Sequence, residues 1–458
     1  MSPMSDAFGF CGPSVGPTPP GPASMALAAR LRSVESRNVT FLSEAFPVFW
    51  SEAKGANVRD ADGNVYLDLT GAFGVALAGH AHPDIVAAIA AQADRLIHGM
   101  GDVHPTEVRV QVLERLAAMA PWEGARCVLA SSGSEAVEIA LKTGALASGR
   151  PGILAFRGAY HGLTMGALST TYRRDFRAPF ESRLFEDVTF APFPRAGREG
   201  ELETSLDAVE RALEAGGRGL GGAPGGARPG TVILEPIQGR AGILVPPPGF
   251  LAGVVERARA TGAVVVFDEI FTGLGRTGEV FAFDHENVAP DLLVLGKALG
   301  GGMPLSACVG SPDVMKAWPT SRGEAMHTST FLGHPLSCAS ALAFLDILDR
   351  DGLAGESGRK GQEAIGHLRV ALSGVPAVRE VRGRGLAIGV ELQEPGSTRP
   401  AVGAGARVAE EALTRGVLVL PAGERGEVVE LAPPATITQP QMHDGLDRLV
   451  AAIEAAVA

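Results

Sequence analysis

Lysine is what this chain has least of among its charged residues. Of 40 lysines and arginines in 458 residues, five are lysines (Lys54, Lys142, Lys297, Lys316 and Lys360), against 35 arginines. Chemistry that needs a side-chain amine has few places to occur. Cysteine is also sparse: Cys11, Cys127, Cys308 and Cys338 lie far apart and form no Cys-x-x-Cys pair. That spacing offers neither a disulfide framework nor a zinc site, and it predicts buried or free thiols in a reducing cytoplasm. There is no basic surplus. A net charge of −11 argues against nucleic-acid binding and gives no attraction to anionic membranes. No apolar run reaches the roughly 20 residues of a spanning helix. What is present is apolar material, 46% of a chain too long for one core, which predicts two or three domains.

The five lysines are not equivalent. Lys54 precedes a Gly-Ala turn, Lys142 lies within an amphipathic helical stretch, Lys316 follows Asp313 on another, and Lys360 reads as part of a polar turn. Lys297 alone ends a buried apolar run, Leu292 to Gly296, and enters the glycine-rich loop Gly300-Gly301-Gly302. A neighbouring run, Ala263 to Phe267, ends in Asp268-Glu269. Such runs bounded by Gly or Pro read as buried strands of a parallel sheet. Ligands of such sheets collect beyond the carboxyl ends of the strands. An aspartate and a lysine delivered to one crevice are the protein's half of pyridoxal phosphate (PLP) chemistry, the one facing a pyridinium nitrogen and the other holding an imine.

Along the chain, Met1 to Pro22 is rich in Gly, Pro and Ser and lacks the basic start and apolar core of a signal peptide. A disordered tail is expected over residues 1–28. Arg30 to Asn38 looks helical, Phe46 to Trp50 extended, and Asn57 to Asp68 alternates around Asp62-Gly63 as a hairpin. His80-Ala81-His82 reads as part of a turn rather than a metal pair. Arg126 to Leu129 reads as a strand opening into Ser131-Ser132-Gly133-Ser134 and a helix. Small residues at a helix start can cup an anion, and Ser132 with Glu135 also has capping-box spacing; the stretch supports both readings. The strand Gly152 to Phe156 leads to Tyr160-His161-Gly162, where the aromatic either stacks on a ring or packs in the core. Gly216 to Gly230 reads as a flexible loop, and Thr231 to Leu234 as a strand delivering Glu235. Repeated strand–helix units predict an α/β large domain over residues 81–340 with a mostly parallel sheet. After a compositional shift, residues 341–458, joined by 29–80, predict a smaller α+β domain. Gly273 to Gly278 matches G-x-G-x-x-G, but no helix pattern follows it, so dinucleotide binding is disfavoured.

Taken in order, Ser132-Gly133-Ser134-Glu135-Ala136, Tyr160-His161-Gly162, Glu235-Pro236-Ile237-Gln238-Gly239, Asp268-Glu269-Ile270, Gly296-Lys297, Ser329-Thr330-Phe331, Val381-Arg382-Gly383 and Pro433-Pro434 resemble the class III aminotransferases of the fold type I PLP enzymes. The resemblance implies that Lys297 carries the coenzyme as an imine and that Asp268 holds its pyridine nitrogen protonated. It implies a phosphate site at Ser132, Gly133 and Ser134, cofactor contacts from Tyr160, His161 and Ile270, and Thr330 reaching the phosphate of the other subunit of a homodimer, or of a dimer of dimers. Arg382 would grip a substrate carboxylate, with Glu235 pairing to it when none is present. The implied reaction moves an amino group from a small-molecule donor, such as an ω-amino acid like 4-aminobutyrate, to a 2-oxo acid. Racemisation, epimerisation or decarboxylating transamination would use the same lysine and aspartate. A non-catalytic PLP-fold protein and a nicotinamide-dependent oxidoreductase are the readings of other classes. Two departures stand out: Phe271 replaces a glutamine common in the family, and Leu163 replaces an arginine of several acetylornithine-type members. Phe46, Phe49 and Phe73 either line an apolar part of the pocket or pack in the core.

Overall fold

The computed structural model describes residues 8–9, 11–16, 19–41, 48–215 and 227–457. Phe46, and residues 216–226 of the expected flexible loop, lie outside them. The chain divides into two compact units, residues 84–354 and residues 1–83 with 355–458.

The 84–354 unit is built on a seven-stranded sheet. Its spatial order is Arg126–Ala130, Ser306–Gly310, Leu292–Leu295, Val264–Asp268, Pro229–Leu234, Gly152–Phe156, Val188–Ala191. The last five of these run parallel, while Ser306–Gly310 is antiparallel to both its neighbours. Every residue of the two central strands, Val264–Asp268 and Leu292–Leu295, is buried, as continuous apolar runs covered on both faces should be. The helix Gly133–Ser148 lays Ala136, Val137, Ile139 and Ala140 onto Ile233, Val266, Val294 and Cys308. Each Val or Ile side chain fully buried this way contributes about 1.5–3 kcal/mol. Gly144 permits the approach: a Cβ there would lie 2.2 Å from Thr231 Oγ1.

The other unit holds two four-stranded sheets. One orders Trp50–Lys54, Asn57–Asp60, Val65–Asp68 and Val417–Leu418; the other is antiparallel throughout and orders Val378–Arg384, Ala387–Leu392, Val428–Leu431 and Leu420–Ala422. The expected hairpin pairs Val58 with Tyr66.

Three expectations need correction. The sequence boundary at residue 340 falls inside the helix Pro335–Arg350, which packs within the 84–354 unit through buried Cys338, Ala341, Phe344, Leu345 and Leu348 and ties Arg350 to Asp84. The start of the chain is not uniformly a loose tail among the described residues. Ser14 exchanges two backbone hydrogen bonds with Val65, buried Gln441 donates to the Gly9 and Cys11 carbonyls, and a helix covers Pro22–Val34. Lys360 lies in the helix Leu353–Ala371, buried, with Nζ donating to the Ala435 carbonyl, and not in a turn. All four cysteines are free. Among the described residues no helix is long and apolar enough to cross a membrane, and no cluster could hold a metal ion.

Candidate active site

Parallel strands bring their carboxyl ends to one edge of the sheet. Leu234 pairs with Phe267, and Asp268 with Val294. Glu235, Asp268 and Lys297 therefore leave three adjacent strands at the same edge, and Tyr160 and His161 arrive from the loop after the strand Gly152–Phe156. These residues all belong to the 84–354 unit.

Asp268 is buried and its orientation is fixed. His161 Nδ1 donates to Oδ2 at 2.7 Å and the Ile270 N–H donates to Oδ1 at 3.1 Å. The His161 ring is fully buried, its backbone N–H donates to Thr171 Oγ1 at 2.9 Å, and its Nε2 has no partner among the described residues. Thr171 Oγ1 donates in turn to the Gly162 carbonyl at 3.0 Å. Glu235 accepts the Tyr160 N–H on Oε1 at 2.9 Å and the Gly239 N–H on Oε2 at 3.0 Å. Burial pushes its carboxyl up to about 7. In this arrangement Glu235 fastens two strand-end loops to each other, a job the sequence did not announce.

The helix Gly133–Ser148 begins with the anticipated capping box. The Glu135 N–H donates to Ser132 Oγ at 3.3 Å, while Ser131 and Ser132 N–H groups donate to Glu135 Oε2 at 2.7 and 3.0 Å. The first-turn N–H groups of Gly133 and Ser134 have no intrahelical acceptor by the geometry of any helix start. A Cβ on Gly133 would sit 2.8 Å from Ile270 Cδ1, and one on Gly162, whose φ is +122°, would sit 2.0 Å from Ser134 Oγ. Gly296 also faces Ile270, its Cβ position being 3.3 Å from Cγ2. Bare backbone thus surrounds Ile270, two residues beyond Asp268. A phosphate-bearing aromatic cofactor fits such a cradle: N–H donors for the anion, an aliphatic face for the ring and a buried carboxylate for a ring cation.

Lys297 stands at the other side with a left-handed backbone, φ +43°. Its Nζ lies 4.7 Å from the centroid of the buried Phe271 ring. Tyr160 is half-buried, its ring edge-on to Phe176 at 6.0 Å, and burial raises its hydroxyl pKa. Thr330 is grouped differently. It is exposed and shares a small cleft with His98, Gly101, Arg109 and His334. Arg382 lies in the other unit, on Val378–Arg384, where its guanidinium donates to Glu391 and to Glu380; Arg379 donates to Glu391 as well. Phe73 is 60% exposed and Phe49 half-buried.

Sequence reasoning missed Thr171 and Glu269. Nothing about a threonine 10 residues from His161 marks Thr171. Glu269 was visible beside Asp268 but was given no role. It is buried, accepts N–H groups from Ala282 and Phe283 at 2.8 and 3.0 Å and the Thr272 hydroxyl at 3.0 Å, and burial pushes it up to about 7.

A lysine and a locked aspartate at the carboxyl edge of a largely parallel sheet, with a helix start beside them, define a PLP-dependent enzyme of fold type I. The Aminotransferase class-III family model matches residues 41–453, and the chain belongs to that family. It is 36% identical over 439 residues to a 4-aminobutyrate aminotransferase of Mycobacterium bovis, covering 93% of this chain and 95% of the relative. It is 35% identical over 412 residues to an acetylornithine aminotransferase of Methanopyrus kandleri, covering 90% and 95%. Among solved structures it resembles the ornithine aminotransferase of Toxoplasma gondii (TM-score 0.81, 30% identity, 94% of each chain). An amine transaminase from an uncultivated Pseudomonas species in its PLP-bound form is similar too (TM-score 0.81, 29% identity, 93% and 98%).

Proposed function

We propose that this aminotransferase takes its amino group from an ω-amino acid of the 4-aminobutyrate kind and passes it to a 2-oxo acid, working as a homodimer in the cytoplasm. The carrying observation is the juxtaposition of Lys297 with the His161–Asp268 pair at one sheet edge. The donor class is supported by similarity to a 4-aminobutyrate aminotransferase and by apolar, exposed Leu163 where several acetylornithine-type members have arginine.

When bound, the coenzyme supplies an electron sink for the carbon that bears the amine. Lys297 would hold the coenzyme, and its Nζ would be the amine that takes up and returns the proton at the carbon bearing the amino group. Asp268 would hold the ring nitrogen protonated, and His161 keeps Asp268 aimed. Gly133 and Ser134 bind the phosphate through backbone N–H groups, with Ser132 capping the helix that presents them. Tyr160 and Ile270 would contact the coenzyme ring, Thr330 would serve the phosphate held by the other subunit, and Arg382 would take a substrate carboxylate through its planar fork. Glu235 positions the loops of Tyr160 and Gly239.

The test is spectroscopic. Adding 4-aminobutyrate to the PLP-loaded protein should bleach the visible coenzyme band, and a 2-oxo acid should restore it. No bleaching by any ω-amino donor would sink the donor assignment. Solvent deuterium entering an amino acid's α-carbon without keto-acid formation would instead mark a racemase.

A further inference from the structure

One carboxylate beside the cofactor cradle is not used by that mechanism. Glu138 lies one turn beyond Ser134 on the helix Gly133–Ser148, so both side chains leave the same face. Both reach the segment that follows Tyr160-His161-Gly162. The Leu163 N–H donates to Ser134 Oγ at 3.1 Å. Glu138 Oε1 accepts the Thr164 hydroxyl at 2.6 Å, the Gly166 N–H at 2.9 Å and the Ala167 N–H at 3.2 Å. Gly166 and Ala167 lie in the first turn of the short helix Met165–Thr170, where N–H groups have no intrahelical acceptor. Thr164, its N-cap, makes no side-chain cap, so Glu138 caps this helix from a neighbouring one. Gly166 gives the carboxylate room: a Cβ there would lie 2.2 Å from Glu138 Oε2. The far end of the short helix turns back to the other side of the cradle. Its C-cap residue, Thr171, accepts the His161 N–H on Oγ1 at 2.9 Å, and His161 donates to Asp268. All of these residues belong to the 84–354 unit.

The short helix therefore bridges two groups that a bound coenzyme needs at a fixed separation: the helix start that takes its phosphate and the aspartate that faces its ring nitrogen. We propose that Glu138 is a positioning residue that holds this separation. It fixes the 163–171 segment to the helix of Gly133 and Ser134 and, through Thr171, sets where His161 holds Asp268. The inference rests on the coenzyme-site reading above and names the residue that keeps its two ends in register. Glu138 acts through these contacts alone. A ligand held at one end is indifferent to the spacing, whereas a ligand held at both ends loses affinity when the spacing slips.

The experiment titrates the full-length apoenzyme with PLP, which spans both ends, and with inorganic phosphate, which occupies one. In Glu138→Ala, PLP binding should weaken about 10- to 100-fold, the scale of an ångström-sized misplacement, while phosphate binding, followed by calorimetry, stays within about threefold. The circular-dichroism band of the bound coenzyme, which reports the orientation of its ring, should lose intensity. Glu138→Gln keeps an acceptor oxygen and should stay within about threefold of wild type with both probes. Thr171→Val cuts the other end of the bridge and should reproduce the PLP-selective loss. It carries the comparison if Glu138→Ala does not fold. Equal losses for the two probes would make Glu138 a support of the helix start only, and unchanged PLP binding in Glu138→Ala would give it no part in the site; either result overturns the assignment. Wild type that holds no borohydride-fixed PLP overturns the coenzyme-site reading itself and this inference with it, whereas wild type and Glu138→Ala holding PLP equally well overturn the inference alone.

Discussion

Replacing Glu269 by Gln should make stability less dependent on pH, in a direction the structure fixes. Glu269 is 1% exposed, and its carboxyl is pushed up to about 7 by burial, against an ordinary value of about 4.3. Between those values the native protein keeps a proton that the unfolded chain has lost. Stability then falls as pH rises, because ν_U − ν_N is negative in that window. The favourable contribution is complete below about pH 4.3 and gone once pH has passed about 7. The interval between about 4.3 and about 7 corresponds to about 3.5 kcal/mol, most of it above pH 5. Glutamine mimics the neutral acid at all pH values, although its NH₂ faces one of the N–H groups of Ala282 and Phe283 and so adds a constant penalty of about 1–3 kcal/mol. The informative quantity is the pH dependence of the difference. Relative to wild type, Glu269→Gln should gain about 3 kcal/mol between pH 5 and pH 8, seen as a relative rise in melting temperature of about 6 °C at roughly 2 °C per kcal/mol. Glu235, raised to about 7 as well, is present in both proteins and cancels. A difference that stays flat across this range would refute the reasoning.

Other perturbations are simpler to read. Gly162→Ala places a Cβ 2.0 Å from Ser134 Oγ on a residue with φ +122°, so it should cost about 2–5 kcal/mol and weaken coenzyme retention; an unchanged melting curve would contradict the cradle. Lys297→Ala should keep the circular-dichroism spectrum of the parent while losing all borohydride-fixed coenzyme, whereas a mass tag persisting on another residue would move the catalytic amine elsewhere. His161→Phe should slow the first half-reaction about 10- to 100-fold with little change in donor KM, because it frees Asp268 without touching substrate; a change confined to KM would argue against a positioning role.

The strands that matter most were legible because their chemistry is redundant. Val264–Asp268 and Leu292–Leu295 are apolar throughout, bounded by Gly or Pro, and each ends in one ionisable group. The capping box at Ser132 and Glu135 was legible for a similar reason, since a local hydrogen-bond exchange leaves a local spacing. The domain boundary was not. Pro335–Arg350 joins the larger unit through residues whose partners are distant in sequence, and no composition shift records them. Glu235 shows the same limit. A carboxylate at a strand end reads as a ligand for charge, but both its oxygens accept backbone N–H groups from loops 75 and 4 residues away.

Lys297 combines both cases. Scarcity and the run before it identify the residue, yet its working direction comes from a backbone conformation that the sequence does not encode locally. A left-handed φ of +43° costs a side-chain-bearing residue about 1–2 kcal/mol and persists only where the surroundings impose it. Those surroundings are visible. The turn over Lys297–Gly300 is closed by the Leu299 N–H on the Gly296 carbonyl at 3.0 Å and the Gly301 N–H on the Ala298 carbonyl at 2.9 Å, with Ala298, Leu299 and Gly300 buried. Ser340, fully buried on the helix Pro335–Arg350, donates to the Gly300 carbonyl at 2.6 Å. Gly301, itself at φ +57°, leaves that contact room, since a Cβ there would meet Ser340 Oγ at 2.8 Å. The helix that the sequence boundary at residue 340 cut in two is therefore the clamp that holds the lysine turn in its strained form. Its assignment to the 84–354 unit follows from the same contacts, because a clamp must move with what it holds.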